Sequence, residues 1–287
     1  MFHCATHISD GRSPRNYMVK FSVCIETLLT EHPFAERARI AAELGFPALE
    51  FWLPDEGGKD LVALRRVADD SRIEIASMVV NSNAGDVGGS LVRIHDKAKY
   101  LKRLRKSIRI AQKLGCKQMI TCSGNVLKRT THAQQTRAMV STLKQASKIV
   151  EHEGITLLLE PLNTIVDHPG YFLDSAKVGF KVVKAVGSPN VKLVYDIYHM
   201  QVMEGNILQS IRENIQFIGH IHCAGVPGRH EIDSGELNYR DIFNEIDKIG
   251  YDGYVGLEYY PTVSSEESLK RTLNLERKGQ SNLERRV

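Results

Sequence analysis

The sequence predicts an α/β fold, a single closed (β/α)8 TIM barrel, on three observations. Eight short apolar runs rich in β-branched residues recur along the chain, a helical pattern follows each, and a glycine stands where five of those helices must end. Strand then helix, eight times, is the pattern of a closed parallel barrel. A doubly wound open sheet usually stops at five or six strands, and no GxGxxG follows the first run. A chain of 287 residues is long enough for one such barrel with one large core.

The elements follow in order. "VKFSVCI" (19–25) is the first strand, and "FAERARIAAEL" from Phe34 the first helix. "ALEFW" (48–52) precedes "DLVALRRVADD" from Asp60, and "IEIASMVV" (73–80) precedes "KAKYLKRLRKSIRIAQK" from Lys97. In that basic run Leu101, Leu104 and Ile108, with Leu114 just beyond it, have the spacing of an amphipathic helix, so its cations form a solvated outer face. "KQMITC" (117–122) leads to "AQQTRAMVSTLKQASKIVEHE" from Ala133, and "ITLLLE" (155–160) to "DSAKVGFKVVKAV" from Asp174. "VKLVYD" (191–196) leads to "ILQSIREN" from Ile207, "IQFIGHIH" (215–222) to "YRDIFNEIDKI" from Tyr239, and "GYVGLE" (253–258) to "SEESLKRTLNLERK" from Ser265. The glycines of "ELGF", "KLGC", "HEGI", "AVGS" and "KIGY" supply left-handed caps before the chain turns back. Residues 1–17 lack this pattern and read as an N-terminal appendage to a barrel domain over 18–280. Residues 281–287 read as a loose tail.

Composition narrows the function classes. Hydrophobic content of 42% and charged content of 25% are those of a globular protein, and no run of about 18 apolar residues offers a membrane span. A net charge of +4, not gathered on one surface, argues against nucleic acid as a partner. The opening "MFHCATHISDGRSPRNY" has no secretory-signal pattern, so a cytoplasmic location is expected. Five scattered cysteines without a CxxC pair read as free thiols. A homo-oligomer is left open.

In such a barrel, functional side chains sit at the C-terminal ends of strands. That rule selects Glu160 after strand five, Asp196 after six, His222 after seven and Glu258 after eight. Three carboxylates and an imidazole then meet at one rim, where a cation would make the charge of Glu160 tolerable at the end of an apolar strand. The set suits a divalent ion such as Mg2+, Mn2+ or Co2+, and the lack of a thiolate argues against structural zinc. A single strand-end carboxylate is more often a helix N-cap than a ligand and a lone His is usually a hydrogen-bonded core residue, but four such residues at equivalent points make coincidence the poorer reading. His199 is expected in the loop leaving strand six, as a second-layer or substrate-contacting imidazole. His220, two residues before His222, points inward one layer deeper and reads as packed. In the long loop "CAGVPGRHEIDSGELNY", Arg229 is either a grip on a carboxylate or hydroxyl of the substrate or an exposed arginine.

The segments "LLLEPLNTIVDHPGYFL", "VYDIYHMQVMEGN", "IGHIHCAGVPGRHEIDSGELNY" and "GYDGYVGLEYYP", with "LLTEHPFAERARIAAELGFPALEFW", resemble hydroxypyruvate isomerase and its relatives among the sugar isomerase/epimerase, or xylose isomerase-like, TIM barrels. The resemblance runs from about residue 18 to 261. It implies metal ligands at Glu160, Asp196, His222 and Glu258, catalytic glutamates at Glu160 and Glu258, and a substrate-binding His199. It also implies proton transfer through a metal-stabilised enediolate of a ketose, keto acid or keto-sugar. Hydroxypyruvate isomerases tend to carry Gln where this chain has His222, whereas the epimerases carry His, so the substrate stays open. Two rivals share the fold. One is a lyase acting on a keto-sugar or keto-glycoside by β-elimination. The other is an endonuclease IV-like phosphodiesterase, which would need extra histidines that strands two to four do not end with.

Overall fold

The computed structural model describes residues 19–283. The expected appendage, residues 1–17, lies outside them, as do 284–287. Eight parallel strands close on themselves in sequence order, β1 (Lys20–Cys24), β2 (Ala48–Phe51), β3 (Glu74–Val79), β4 (Gln118–Cys122), β5 (Thr156–Glu160), β6 (Val191–Asp196), β7 (Ile218–Cys223) and β8 (Tyr254–Leu257). Ser22 pairs with Gly256 to join the last strand to the first. The helices are α1 (Glu36–Glu43), α2 (Leu61–Ser71), α3 (Lys97–Leu114), α4 (His132–His152), α5 (Ala176–Val186), α6 (Ile197–Met203), α7 (Ile207–Asn214), α8 (Tyr239–Lys248) and α9 (Ser265–Leu283). Among the described residues no helix is long and apolar enough to cross a membrane.

The barrel expected from the strand and helix pattern is the observed one, and its helix ends follow the sequence signals. Gly45, Gly115, Gly154, Gly187 and Gly250 all have positive φ at the five expected stops. Asp60 caps α2 by accepting from the Ala63 amide, and Thr131 opens α4 in a capping box with Gln134. Three details differ from the expectation. Helix α6 was not anticipated, and it places His199 in its first turn rather than in a loop. Residues Ile215–Phe217 form a 3-10 turn rather than the start of β7. Helix α9 continues to Leu283, into the stretch read as tail.

Alternation along the strands divides side chains between two cores. The larger lies between strands and helices and includes Phe21, Leu49, Met119, Leu159, Leu193 and Ile221. The barrel interior is itself divided. Ile120, Leu158 and Val194 from β4 to β6 form a separate apolar cluster there. On the other side Ser22, Glu50, Ser77 and His220 form a polar one, joined by hydrogen bonds to Glu50. All seven are at most 2% exposed.

Candidate active site

The rim residues are delivered by strand ends. Glu160 closes β5, Asp196 closes β6, His222 is the penultimate residue of β7, and Glu258 follows β8. One donor atom from each falls within 4.8 Å of the others. Glu160 and Glu258 are 6% exposed, His222 2% and Asp196 1%, so the charges are withdrawn from water. His222 Nδ1 lies 3.2 Å from Glu160 Oε1 and 3.5 Å from Glu258 Oε2.

Asp196 has two tasks. Its Oδ1 accepts from the His199 amide at 3.1 Å and so caps α6, while Oδ2 faces the rim, 3.5 Å from His199 Nε2 and 3.7 Å from Arg229 Nη2. The strand therefore passes into the helix with no intervening loop, and His199 is fully buried behind the rim. Asn163 sets its tautomer. The Asn163 Oδ1 accepts from the Val166 and Asp167 amides, so its Nδ2 must be the donor to His199 Nδ1, at 2.7 Å. His199 Nδ1 is then an acceptor and Nε2 carries the proton. The same logic applies to His168. Asn83 Oδ1 accepts from the Ala84 amide, so Asn83 Nδ2 donates to His168 Nδ1 at 2.8 Å. Two neutral imidazoles thus present N–H groups to the site.

Arg229 is not exposed. It sits in the β7–α8 loop, 7% exposed, with its guanidinium bonded to the Glu258 carboxylate and its Nε 3.3 Å from the Glu258 carbonyl. The structure brings it to the rim itself. Trp52 donates its indole N–H to the other oxygen, Glu258 Oε1, at 2.8 Å. Both oxygens of Glu258 are thereby held, whereas the Glu160 carboxylate meets only His222 among these hydrogen bonds and ion pairs.

The electrostatics follow from crowding. Burial pushes Asp196 up to about 7, with Arg229 opposing and Glu258 and Glu160 adding to the rise. For His222, burial favours the neutral ring, yet Glu50, Glu258 and Glu160 hold it well above the usual imidazole range. Burial, with Arg229 and His168 nearby, keeps His199 well below that range and therefore neutral. Four carboxylates, counting Glu50, face one guanidinium and the histidines. The carboxylates outnumber the cationic groups that face them, and His222 Nδ1 has no hydrogen-bond partner. Three carboxylate oxygens and an imidazole nitrogen so arranged fit a divalent cation.

A cavity of about 310 Å3 opens above the rim, lined among others by Trp52, Asn83, His168, His199, Arg229 and Tyr260. Sequence reasoning did not single out Glu50, Trp52, His168 or Asn163 for the site. The available signal for Glu50 was the one that marked Glu160, a carboxylate within an apolar strand.

A closed eight-stranded barrel with a buried carboxylate and histidine cluster at its C-terminal rim defines a class of α/β barrel with its site on the strand-end face. The particular family is shown by comparison. Residues 38–277 match the xylose isomerase-like TIM barrel family, and the chain belongs to it. It is 32% identical over 252 residues to 2-oxo-tetronate isomerase of Cupriavidus necator, an alignment covering 88% of this chain and 96% of that one. It is 31% identical over 256 residues to hydroxypyruvate isomerase of Escherichia coli, covering 88% and 98%. Among solved structures it resembles the AP endonuclease, family 2, from Brucella melitensis, with a TM-score of 0.83, 30% identity and coverage of 90% and 99%. The fold is also shared with an L-ribulose 3-epimerase at a TM-score of 0.76 and 19% identity, covering 94% and 96%.

Proposed function

We propose that the chain is an isomerase or epimerase of a small hydroxy-carbonyl compound, a keto acid or keto-sugar, dependent on a divalent ion such as Mn2+ or Mg2+, with Co2+ also suited. The observation that carries this reading is the convergence of Glu160, Asp196, His222 and Glu258 within 4.8 Å at the rim, where Glu160 and Glu258 line the cavity. The isomerase names of the relatives support the reaction class. An ion held by these four residues supplies Lewis-acid polarisation of a substrate carbonyl or hydroxyl oxygen.

The chain's own groups do the rest. Glu258, fixed by Trp52 and Arg229, and Glu160, with fewer partners, take the paired tasks of removing a proton from the carbon beside the carbonyl and returning one, to the neighbouring carbon in an isomerisation or to the opposite face of the same carbon in an epimerisation. His199 and His168 offer neutral N–H groups that bind substrate oxygens without donating a full charge. Their locked tautomers mean that no reorganisation is needed during the reaction. Arg229 neutralises the rim and orients Glu258, and its remaining donors are placed to bind the substrate.

The name of the Brucella structure raises a phosphodiester reading. The residues do not favour it, since among those described the two groups able to hold a metal share His222, and β2, β3 and β4 end on Phe51, Val79 and Cys122. The test is incubation with hydroxypyruvate, 2-oxo-tetronate, ketoses and keto-glycosides in deuterated water, with Mn2+ or Mg2+ and without. Ion-dependent deuterium entry beside the carbonyl of at least one compound is expected. Ion-independent turnover, or hydrolysis of abasic DNA with no such exchange, overturns the reading.

A further inference from the structure

We infer that Glu50 is a positioning residue of the rim, the group that fixes the His222 ring so that its Nδ1 faces Glu160, Asp196 and Glu258. The inference rests on the divalent-ion reading above. Glu50 is one residue from the end of β2 and 2% exposed, in the middle of the barrel interior. Its Oε2 is anchored, accepting from Ser22 Oγ at 2.8 Å and His220 Nε2 at 2.8 Å, with Ser77 Oγ at 3.5 Å. Its Oε1 meets His222 Nε2 alone, at 2.9 Å, and the approach is oblique to the ring N–H.

Burial of a full carboxylate is costly unless the charge is compensated. Here the compensation runs to both histidines of β7, and one of those is a rim residue. A carboxylate that merely filled the core would have no reason to leave one oxygen against the back of that ring. The fold also makes room for the contact. A Cβ on Gly256 of β8 would fall 2.4 Å from Glu50 Oε1 and 2.7 Å from His222 Cδ2, so a side chain there would part the pair. Glycine at this point of β8 lets β2 and β7 meet across the interior.

The chemical result is a division of the imidazole. A carboxylate behind Nε2 keeps the proton there, which leaves the Nδ1 lone pair to the cation. His220, bonded to the other oxygen, holds the carboxylate in that posture. Removing such a partner typically weakens ion affinity by roughly 10- to 100-fold.

The experiment is calorimetric titration of Mn2+ alone into the ion-stripped full chain, parent and Glu50→Gln, with circular dichroism and melting temperature in parallel. The parent is expected to bind Mn2+, and folded Glu50→Gln to bind it roughly 10- to 100-fold more weakly. If the parent binds no Mn2+, Mg2+ or Co2+, the rim reading fails and this inference with it. If the parent binds and folded Glu50→Gln binds equally well, Glu50 serves stability only and the inference alone is overturned. Should Glu50→Gln fail to fold, Gly256→Ala takes its place, keeping both groups while forcing them apart. Its affinity should also fall, and an unchanged affinity overturns the inference.

Discussion

The two rim glutamates have the same chemistry and unequal surroundings, and this inequality is measurable. Glu258 is gripped on both oxygens by Trp52 and Arg229, whereas Glu160 is not. Replacing either by Gln keeps its shape and an oxygen but removes the basic carboxylate. Each change should lower kcat by about 100-fold or more, the scale of a positioned acid or base. Trp52→Phe removes the indole donor to Glu258 together with part of the cavity wall and, leaving both carboxylates in place, should give a smaller loss of kcat, with the ion retained. Near-parental turnover by both Gln variants, shown to hold the ion, would refute the assignment. A second residue speaks to pH. Burial raises Asp247 from an ordinary 3.8 to about 6, and it lies near the C-terminus of α8, where a negative charge is unfavourable. A raised carboxyl favours folding while neutral, so its contribution is full below about 3.8 and is lost as pH rises through about 6. Asp247→Asn should therefore raise the melting temperature at pH 8 and leave it nearly unchanged at pH 3.5. Equal shifts at both values would show that titration is not the cause.

Helices and strands differ in how openly the sequence announces them. Strand-end carboxylates stand out because a charge interrupts an apolar run, and so Glu160, Asp196 and Glu258 could be picked out by position alone. Glu50 escaped because Phe51 and Trp52 continue its run and hide the interruption. Helix α6 escaped for a related reason. Ile197, Tyr198, His199 and Met200 are all buried, so it has no polar face to give a helical period, and its cap, Asp196, doubles as the last residue of β6. The tautomers of His199 and His168 depend on partners 36 and 85 residues away, which no local pattern encodes. Where the signal is local it can be tested locally. Thr131 caps α4 together with Gln134, and Thr131→Ala should cost about 1 kcal/mol in chemical denaturation. The rim lies outside that helix, so turnover at saturating substrate should not change. A loss of activity without loss of stability would contradict the assignment of Thr131 to capping.

At the scale of the whole barrel, the divalent-ion reading proposed above makes the cluster of like charges tie stability to ion binding. A ligand that binds only the folded chain stabilises it by about 2.7 kcal/mol at a hundred times its dissociation constant. Mn2+ should therefore raise the melting temperature, and EDTA should reverse the rise. His222→Ala should abolish most of the difference and reduce ion content. An equal Mn2+ shift in that variant would move the ion away from the rim.

The divided interior beneath the rim has a consequence for traffic. Ile120, Leu158 and Val194 on one side, with Ser22, Glu50, Ser77 and His220 on the other, leave at most 2% of any of these residues open to solvent. The chamber is a cup, sealed below and entered from the strand-end face. A substrate that fills its mouth bars the way out that the described residues leave. On the proposed reaction the removing and returning tasks fall to different glutamates, so a hydrogen lifted by one reaches product only if it crosses to the other inside the cup. Most of the tritium carried on that carbon should therefore leave in water, and whatever fraction stays in product measures how well the cup is stoppered.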